Sequence, residues 1–364
     1  MMKNKIFEAY LKIFIKIFEL LGLAQWVREI DSENIHGHEL ILWQEALKRS
    51  LKIENLKIKN LHSRFFRIKI GRRCFVFESL PFLKSYNKTN PEAVSNKWWV
   101  KKILLANLIP TPLGQKVKNF QEAKRFVKLH GYPVVVKPLC ESQCLGVTVN
   151  IKNQNELVRA IGLVKKYGRH FLVETFVSGK CYRLTVAGKN MAAACLRRPP
   201  QVIGDGQSSI RKLITIKNHH PRIEKRLSST LKPIIIDQTL VRHLESQNLK
   251  LKAIPQRGKR VILSPKVNLG SGAETIDMTG KVHPETEKIC LKITQILDAE
   301  ILGFDVLAKD ISLASGKNNP VNIIEVNPFP FIDMHHYPFR GKSRNVAGAI
   351  WDLFLKEANN FRGS

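Results

Sequence analysis

The stretch NIIEVNPFPFIDMHH, Asn322 to His336, constrains the fold more than any other part of the chain. Its β-branched run predicts a strand, and Pro328 and Pro330 predict where that strand stops. Side chains alternate faces along a strand, so Glu325 and Asn327 point one way while Ile324 and Val326 point the other. A second strand is expected in ILGFDVLAKDI, with LASGKNN as the polar loop between the two. If they pair, Asp305 joins Glu325 and Asn327 on one patch, and the apolar neighbours face a core. Three oxygen donors without a thiolate or imidazole suit a hard cation such as Mg2+ that also touches phosphate oxygens. A buried carboxylate satisfied by a local basic residue is the plain alternative.

Strands and helices alternate over much of the rest, which predicts a mixed α/β class. The helix in NKWWVKKILLANLI follows Pro91 and stops at Pro110 and Pro112. FQEAKRFVKLHG reads as a helix closed by Gly131, and YPVVVKPL as a buried strand ending at Lys137 and Pro138. GVTVNI, NELVRAIGLVKKYG and HFLVETFV continue as strand, helix and strand, and CYRLTVAGKNMAAACLRR as a hairpin turning at Gly188. PETEKICLKITQILDA and VAGAIWDLFLKEA read as helices. Before Asn90, a helix around His38 to Ser50 precedes a hairpin in LHSRFFRIKIGRRCFVFES.

The N-terminal run IFEAYLKIFIKIFELLGLAQWV carries Glu8, Lys12, Lys16 and Glu19 as one polar stripe at helical spacing. Those charges disfavour a membrane span. A helix docked on the body is expected, with a membrane-surface helix or a dimer seam as alternatives. No cleavable leader pattern is read there.

The chain has 364 residues, 44% of them hydrophobic, enough for two or three subdomains. Lys plus Arg number 60 against 30 acidic residues, a net charge of +30. Such a field draws nucleotides, acidic peptides, nucleic acid or anionic membranes without choosing among them. No zinc spacing, RNA-recognition aromatic motif or helix-turn-helix stands out, so nucleic acid is disfavoured. The six cysteines include no CxxC pair, which predicts free thiols and a cytoplasmic setting. The histidine pairs His36/His38, His219/His220 and His335/His336 show no ligand spacing on a helix. Lys137, at the end of a valine strand, and Lys101, on the helix near Asn96, would clamp a triphosphate together with the metal cluster.

In their order these pieces resemble the ATP-grasp superfamily, most nearly the ligase domain of cyanophycin synthetase and the related domain of bifunctional glutathione synthetases. The similar stretches are NKWWVKKILLANLIPTP, GYPVVVKPL, GVTV, FLVETFVSGKCYRLTVAG, RRPPQVIGDGQSSI, VNLGSGAETIDMTGKVHP, ILGFDVLAKDI, IIEVNPFPFIDMH and YPFRGKSR, running from about Asn90 to Phe354. The resemblance implies an ATP-grasp fold, two α+β subdomains clasping ATP, with a small N-terminal helical and β extension. The division it suggests is 1–90 for the extension, 91–355 for the ATP-grasp domain with a lid at about 130–180, and 356–364 for a tail.

By the resemblance, Lys101 and Lys137 hold ATP phosphates, and Glu174, Phe176 and Val177 form the hinge that receives adenine. Asp305, Glu325 and Asn327 are the magnesium ligands, with Mn2+ as the alternative ion. Arg198, Asn268 and Arg344 are implied as catalytic. Arg183, Ser271, Gly272, His335 and Gly341 fall at family positions around the phosphates and acceptor pocket. The reaction implied is ATP-dependent ligation of a carboxylate to an amine through an acyl phosphate, on amino-acid or peptide substrates drawn in part by the basic charge. A homo-oligomer is left open.

The chain departs from the family at three places. The glycine-rich phosphate loop reads LCESQCLGVTV, leaving Gly146 and, as side-chain donors, Ser142 and Gln143. Cys181 stands where an acidic residue would accept from ribose. Ser264 replaces an arginine, with Lys266 near enough in sequence to substitute. The sequence carries no counterpart of the Mur-ligase-like half of cyanophycin synthetase, so one type of amide bond is expected. A catalytically impaired nucleotide- or peptide-binding relative is the alternative function.

Overall fold

A computed structural model describes residues 13–59, 61–81, 89, 91–141, 145–221, 223, 229–265, 267 and 269–360, with 271 and 360 described by backbone alone. The chain divides into two compact units. One comprises Met1–Leu83, Lys225–Ser229 and Ala347–Ser364; the other comprises Lys84–Glu224 and Thr230–Val346. The closing helix, Val346–Asn360, is thus grouped almost wholly with the N-terminal segment.

In the first unit β1 (Ala24–Val27), β2 (Ile53–Ile58), β3 (Leu61–Ile70) and β4 (Arg73–Glu78) form an antiparallel sheet in that order. The expected β3–β4 hairpin is present, with Ile70 opposite Arg73 and Gly71 at φ 60°. Alternation turns Phe66 and Ile68 inward, where Phe66 and Phe77 stack at 5.9 Å. Trp351 of the closing helix meets Phe77 edge-on at 6.0 Å and donates its indole N–H to the Leu42 carbonyl at 2.9 Å. Leu42 lies on the helix Gly37–Lys48. Each such fully buried aromatic contributes about 1.5–3 kcal/mol by leaving water.

Among the described residues the second unit holds three further sheets, and their strands pair antiparallel. β5 (Gly114–Val117), β6 (Val134–Pro138), β7 (Thr148–Ile151) and β8 (Phe171–Thr175) take the order β5-β8-β6-β7. The helices Phe120–His130 and Gln154–Val164 cover that sheet through Ala123, Phe126, Leu157 and Ile161. Both helices begin at asparagines, Asn119 and Asn153, whose side chains accept from the third backbone N–H beyond them.

The central sheet has the order β13-β10-β9-β14-β15, from Glu274–Asp277, Asn190–Arg198, Lys180–Ala187, Ile301–Ala308 and Asn322–Asn327. One of its faces is apolar: Tyr182, Leu184, Leu196, Phe304 and Val306 pack there with Val100, Leu104, Cys290 and Ile293. The last four lie on the helices Lys97–Ala106 and Pro284–Ile296. The other face is left to polar side chains. β11 (Gln201–Ile203) and β12 (Arg260–Ile262) make a small separate ribbon against the helices Ile210–Asn218 and Gln238–Glu245. No helix among the described residues is long and apolar enough to cross a membrane.

Candidate active site

The site begins at a buried carboxylate. Glu174 lies on β8 between Gly114 of β5 and Val135 of β6 and is 3% exposed. Its two oxygens take a lysine each: Lys101 Nζ at 2.9 Å and Lys137 Nζ at 2.7 Å. Lys101 also donates to the Thr111 hydroxyl at 3.0 Å and the Pro112 carbonyl at 2.6 Å. Burial pushes the Lys101 ammonium below its ordinary range; Glu174 opposes that and Lys137 adds to it. A β-carbon at Gly114 would stand 2.9 Å from the Glu174 Cγ and 3.0 Å from the Lys101 Cδ, so the missing side chain makes room for the pair.

The lysines adjoin the strand pair expected from the sequence. β14 and β15 pair so that Asp305 faces Glu325 and Gly303 faces Asn327. Between Asp305 and Val306 the register shifts and passes over Ile324. The carbonyl of Ile324 accepts from Lys137 Nζ at 3.2 Å. Lys97, one turn before Lys101 on the same helix, sits 3.3 Å from Glu325 and donates to the Glu141 carbonyl. Asn96 starts that helix by accepting from the N–H groups of Trp98 and Trp99, which aims Lys97 and Lys101 along one side.

Asp305 is clasped by two guanidiniums, Arg183 Nε at 2.5 Å and Arg197 Nη2 at 2.7 Å. Burial alone would raise its carboxyl, but Arg183 and Arg197 hold it down at about 2. The same Arg197 nitrogen donates to the Cys181 sulfur at 3.0 Å. Burial raises the Cys181 thiol and Arg197 opposes the rise, so Cys181 is a neutral neighbour here. Register explains the gathering: Arg197 is opposite Cys181, Asp305 opposite Arg183, and all share the polar face.

The polar face continues to β13. Asp277 takes Arg344 through three contacts of 2.7 to 3.1 Å. Gly341 has φ 97°, and a β-carbon there would come within 2.7 Å of the Asp277 Cβ. His335 is 2% exposed, meets the Thr185 hydroxyl at 2.9 Å through Nε2, and has no hydrogen-bond partner at Nδ1 among the described residues. Burial, reinforced by Arg183, lowers its imidazole to about 3. Gly272 has φ 87°, with the Ile234 side chain where a β-carbon would be.

Other expected site residues fall elsewhere. Arg198 follows Arg197 on β10 and so lies on the opposite face, across from Glu274. Arg197, not singled out in the sequence, supplies the second of the two guanidiniums that meet Asp305. Gly146 has φ 66°, and the Tyr167 ring lies 2.6 Å from where its β-carbon would be, with Pro138 at 2.9 Å. Its openness is therefore used by packing. Phe176 gives its N–H to the Pro133 carbonyl, and both Phe176 and Val177 are half-buried just past β8. Ser142, Gln143, Lys266, Asn268 and the Ser271 side chain lie outside the described residues.

Among the described residues, no three His, Cys, Asp or Glu side chains gather as they would around a metal ion. The oxygen-rich set is two carboxylates and an amide. The Asn327 Nδ2 is buried without a hydrogen-bond partner among the described residues, and turning the amide over would put an unused carbonyl oxygen there instead. Opposed carboxylates with such an oxygen two residues on are donors of the kind Mg2+ takes.

The D-ala D-ala ligase C-terminus family matches residues 107–205, the segment from β5 to β11 that holds Lys137, Glu174, Arg183 and Arg197. Cyanophycin synthetase from Crocosphaera subtropica is 34% identical over 267 residues, covering 72% of this chain and 30% of that protein. Glutathione biosynthesis bifunctional protein GshAB from Clostridium perfringens is 29% identical over 332 residues, covering 89% of this chain and 41% of its own length. A crystal structure of a bifunctional glutathione synthetase from Pasteurella multocida matches with a TM-score of 0.67 at 24% identity, over 90% of this chain and 44% of that one. The chain thus spans less than half the length of each of these relatives. By its matched domain, its relatives and its antiparallel α/β architecture, the chain is a member of the ATP-grasp superfamily, similar to part of the cyanophycin synthetases and of the bifunctional glutathione synthetases.

Proposed function

We propose that the chain is a ligase that joins a carboxylate to an amine at the expense of ATP, on amino-acid or peptide substrates. The carrying observation is the convergence of Lys101 and Lys137 on Glu174, beside the Asp305–Glu325 pair. A family named for a D-ala D-ala ligase and relatives named as synthetases support a bond-forming reaction.

In this reading Lys101 and Lys137 turn from Glu174 to the phosphate oxygens of ATP, and Glu174 with the backbone of Phe176 and Val177 receives adenine. Asp305, Glu325 and Asn327 would hold Mg2+ or Mn2+, which when bound offsets charge on the phosphate oxygens. Arg183 and Arg197 keep Asp305 ionised and aimed. The substrate carboxylate attacks the γ-phosphorus, ADP leaves, and an acyl phosphate forms. The amine then attacks the acyl carbon, inorganic phosphate leaves, and the amine's proton is lost to solvent. The protein supplies no nucleophile; positioning and charge carry the rate. Arg344, held by Asp277 at the far end of the polar face, would meet an anionic substrate group in this reading.

Phosphate release from Mg-ATP, measured with pools of amino acids and dipeptides, tests this. Release stimulated by one pool, with a matching amide in the product, is the expected result. Nucleotide binding with no release in any pool would overturn turnover and leave a binding protein.

A further inference from the structure

Residues 13–23 present a surface that the ligase reading does not use. Helical backbone at 13–20 packs on the first unit's sheet through Ile15 and Phe18, against Ala24, Leu56 and Phe65. Ile13, Ile17 and Leu20 recur at i, i+4 and i+7 and share the opposite side. They are 57%, 47% and 79% exposed. Phe14 and Leu21 widen that side. A helix that is apolar on both sides is ordinarily buried on both; this one is buried on one.

The surface continues past the helix. The Leu23 carbonyl accepts from the Lys59 N–H at 2.9 Å, which brings the end of β2 alongside, and Leu61, the first residue of β3, is 74% exposed. Lys16 on the helix and Lys59 just past β2 are exposed beside these leucines. Glu19, the acidic residue among the described residues 13–23, is turned toward Arg67 at 3.9 Å.

We propose that this face docks on an anionic lipid bilayer. The helix would lie in the interface plane, its outer leucines among the upper acyl chains and Lys16 and Lys59 at the headgroup phosphates. Charge selects this occupant over a second copy of the chain. A symmetric dimer through this face would bring like lysines together and set one +30 body against another, whereas an anionic surface offsets both.

The test is flotation of the full chain with phosphatidylcholine–phosphatidylglycerol vesicles and with phosphatidylcholine vesicles alone. The chain is expected to float with the mixed vesicles. Leu20→Glu with Leu21→Glu, both at exposed positions, should weaken this by about tenfold or more at unchanged circular dichroism. Lys16→Glu with Lys59→Glu should abolish the preference for the anionic lipid. Flotation that salt removes and the leucine variants leave unchanged would overturn the proposal, because diffuse charge would then explain it. A dimer seen by light scattering without vesicles and lost in the leucine variants would also overturn it, assigning the face to a second copy.

Discussion

Asp305 and Glu325 stand directly opposite one another on β14 and β15, yet their carboxylates answer to different cations. Asp305 is buried and clasped by Arg183 and Arg197, while Glu325 is more open and meets Lys97 at 3.3 Å. The pair therefore divides its work: one carboxylate is fixed in place, and the other can exchange its partner.

Glu325→Gln tests that division. The change keeps shape and removes charge while Lys97 keeps the Glu141 carbonyl as a partner. Mg-ATP-dependent phosphate release should fall by about a hundredfold or more if this carboxylate helps hold the cation, since such ions supply several kcal/mol of charge stabilisation. The melting temperature should move little, because a partly exposed ion pair contributes about 0–1 kcal/mol. Full activity in the variant would exclude Glu325 as a ligand.

Arg197 and Arg198 are adjacent in sequence and opposite in consequence. Arg197→Ala leaves Asp305 buried with one guanidinium instead of two, and should cost about 3 kcal/mol in urea unfolding. Arg198→Ala, on the other face, should fall within about 0.5 kcal/mol of the parent. Equal losses would mean that strand alternation does not separate their roles.

This neighbouring pair also shows where reading the sequence stops. The strands carrying Asp305, Glu325 and Asn327 were legible because their β-branched runs end at clear loop and proline signals. Their pairing followed from adjacency in the chain. Lys97 was legible in principle, four residues before Lys101 on a helix. Arg197 was not, because its face depends on the β9–β10 register, which shifts between Met191 and Ala193. Glu174 was singled out through the family resemblance, but its bridging of two lysines joins three segments distant in sequence. Gly146 looked like a phosphate approach and packs under Tyr167, a contact with no local signature. Grouping of the closing helix with the N-terminal sheet likewise rests on Trp351 and Phe354 meeting aromatics nearly three hundred positions away.

Gly114 carries a prediction that no motif suggests. Alanine there would meet Glu174, Lys101 and the Val173 carbonyl at 2.9 to 3.1 Å. Overpacking of this kind costs about 1–3 kcal/mol. Because the displaced groups are the two-lysine cluster, ATP affinity measured by calorimetry should drop together with stability. Gly162, in the helix Gln154–Val164, has open space around it, and Gly162→Ala should stabilise by about 0.4–1 kcal/mol. If the two alanine variants behaved alike, the crowding at Gly114 would not be real.

His38 should make the first unit sensitive to mild acid. It sits on the helix Gly37–Lys48, 4% exposed, and burial lowers its imidazole from 6.5 to about 4. Glu39, 3.7 Å away, opposes the shift, while His36 and Arg64 reinforce it. The folded state therefore keeps His38 neutral where the unfolded chain would already be protonated. Between pH 6.5 and about 4 the unfolded state binds the extra proton, so stability falls as pH falls through that window, by about 3 kcal/mol in all from this residue. Above pH 6.5 the contribution is complete and flat. Nuclear magnetic resonance titration should give a midpoint for His38 near 4 rather than near 6.5. In urea unfolding at a series of pH values, His38→Gln should lessen the acid slope specifically across that window. A midpoint near 6.5, or a slope that His38→Gln leaves unchanged, would show that the imidazole is solvated in the folded chain.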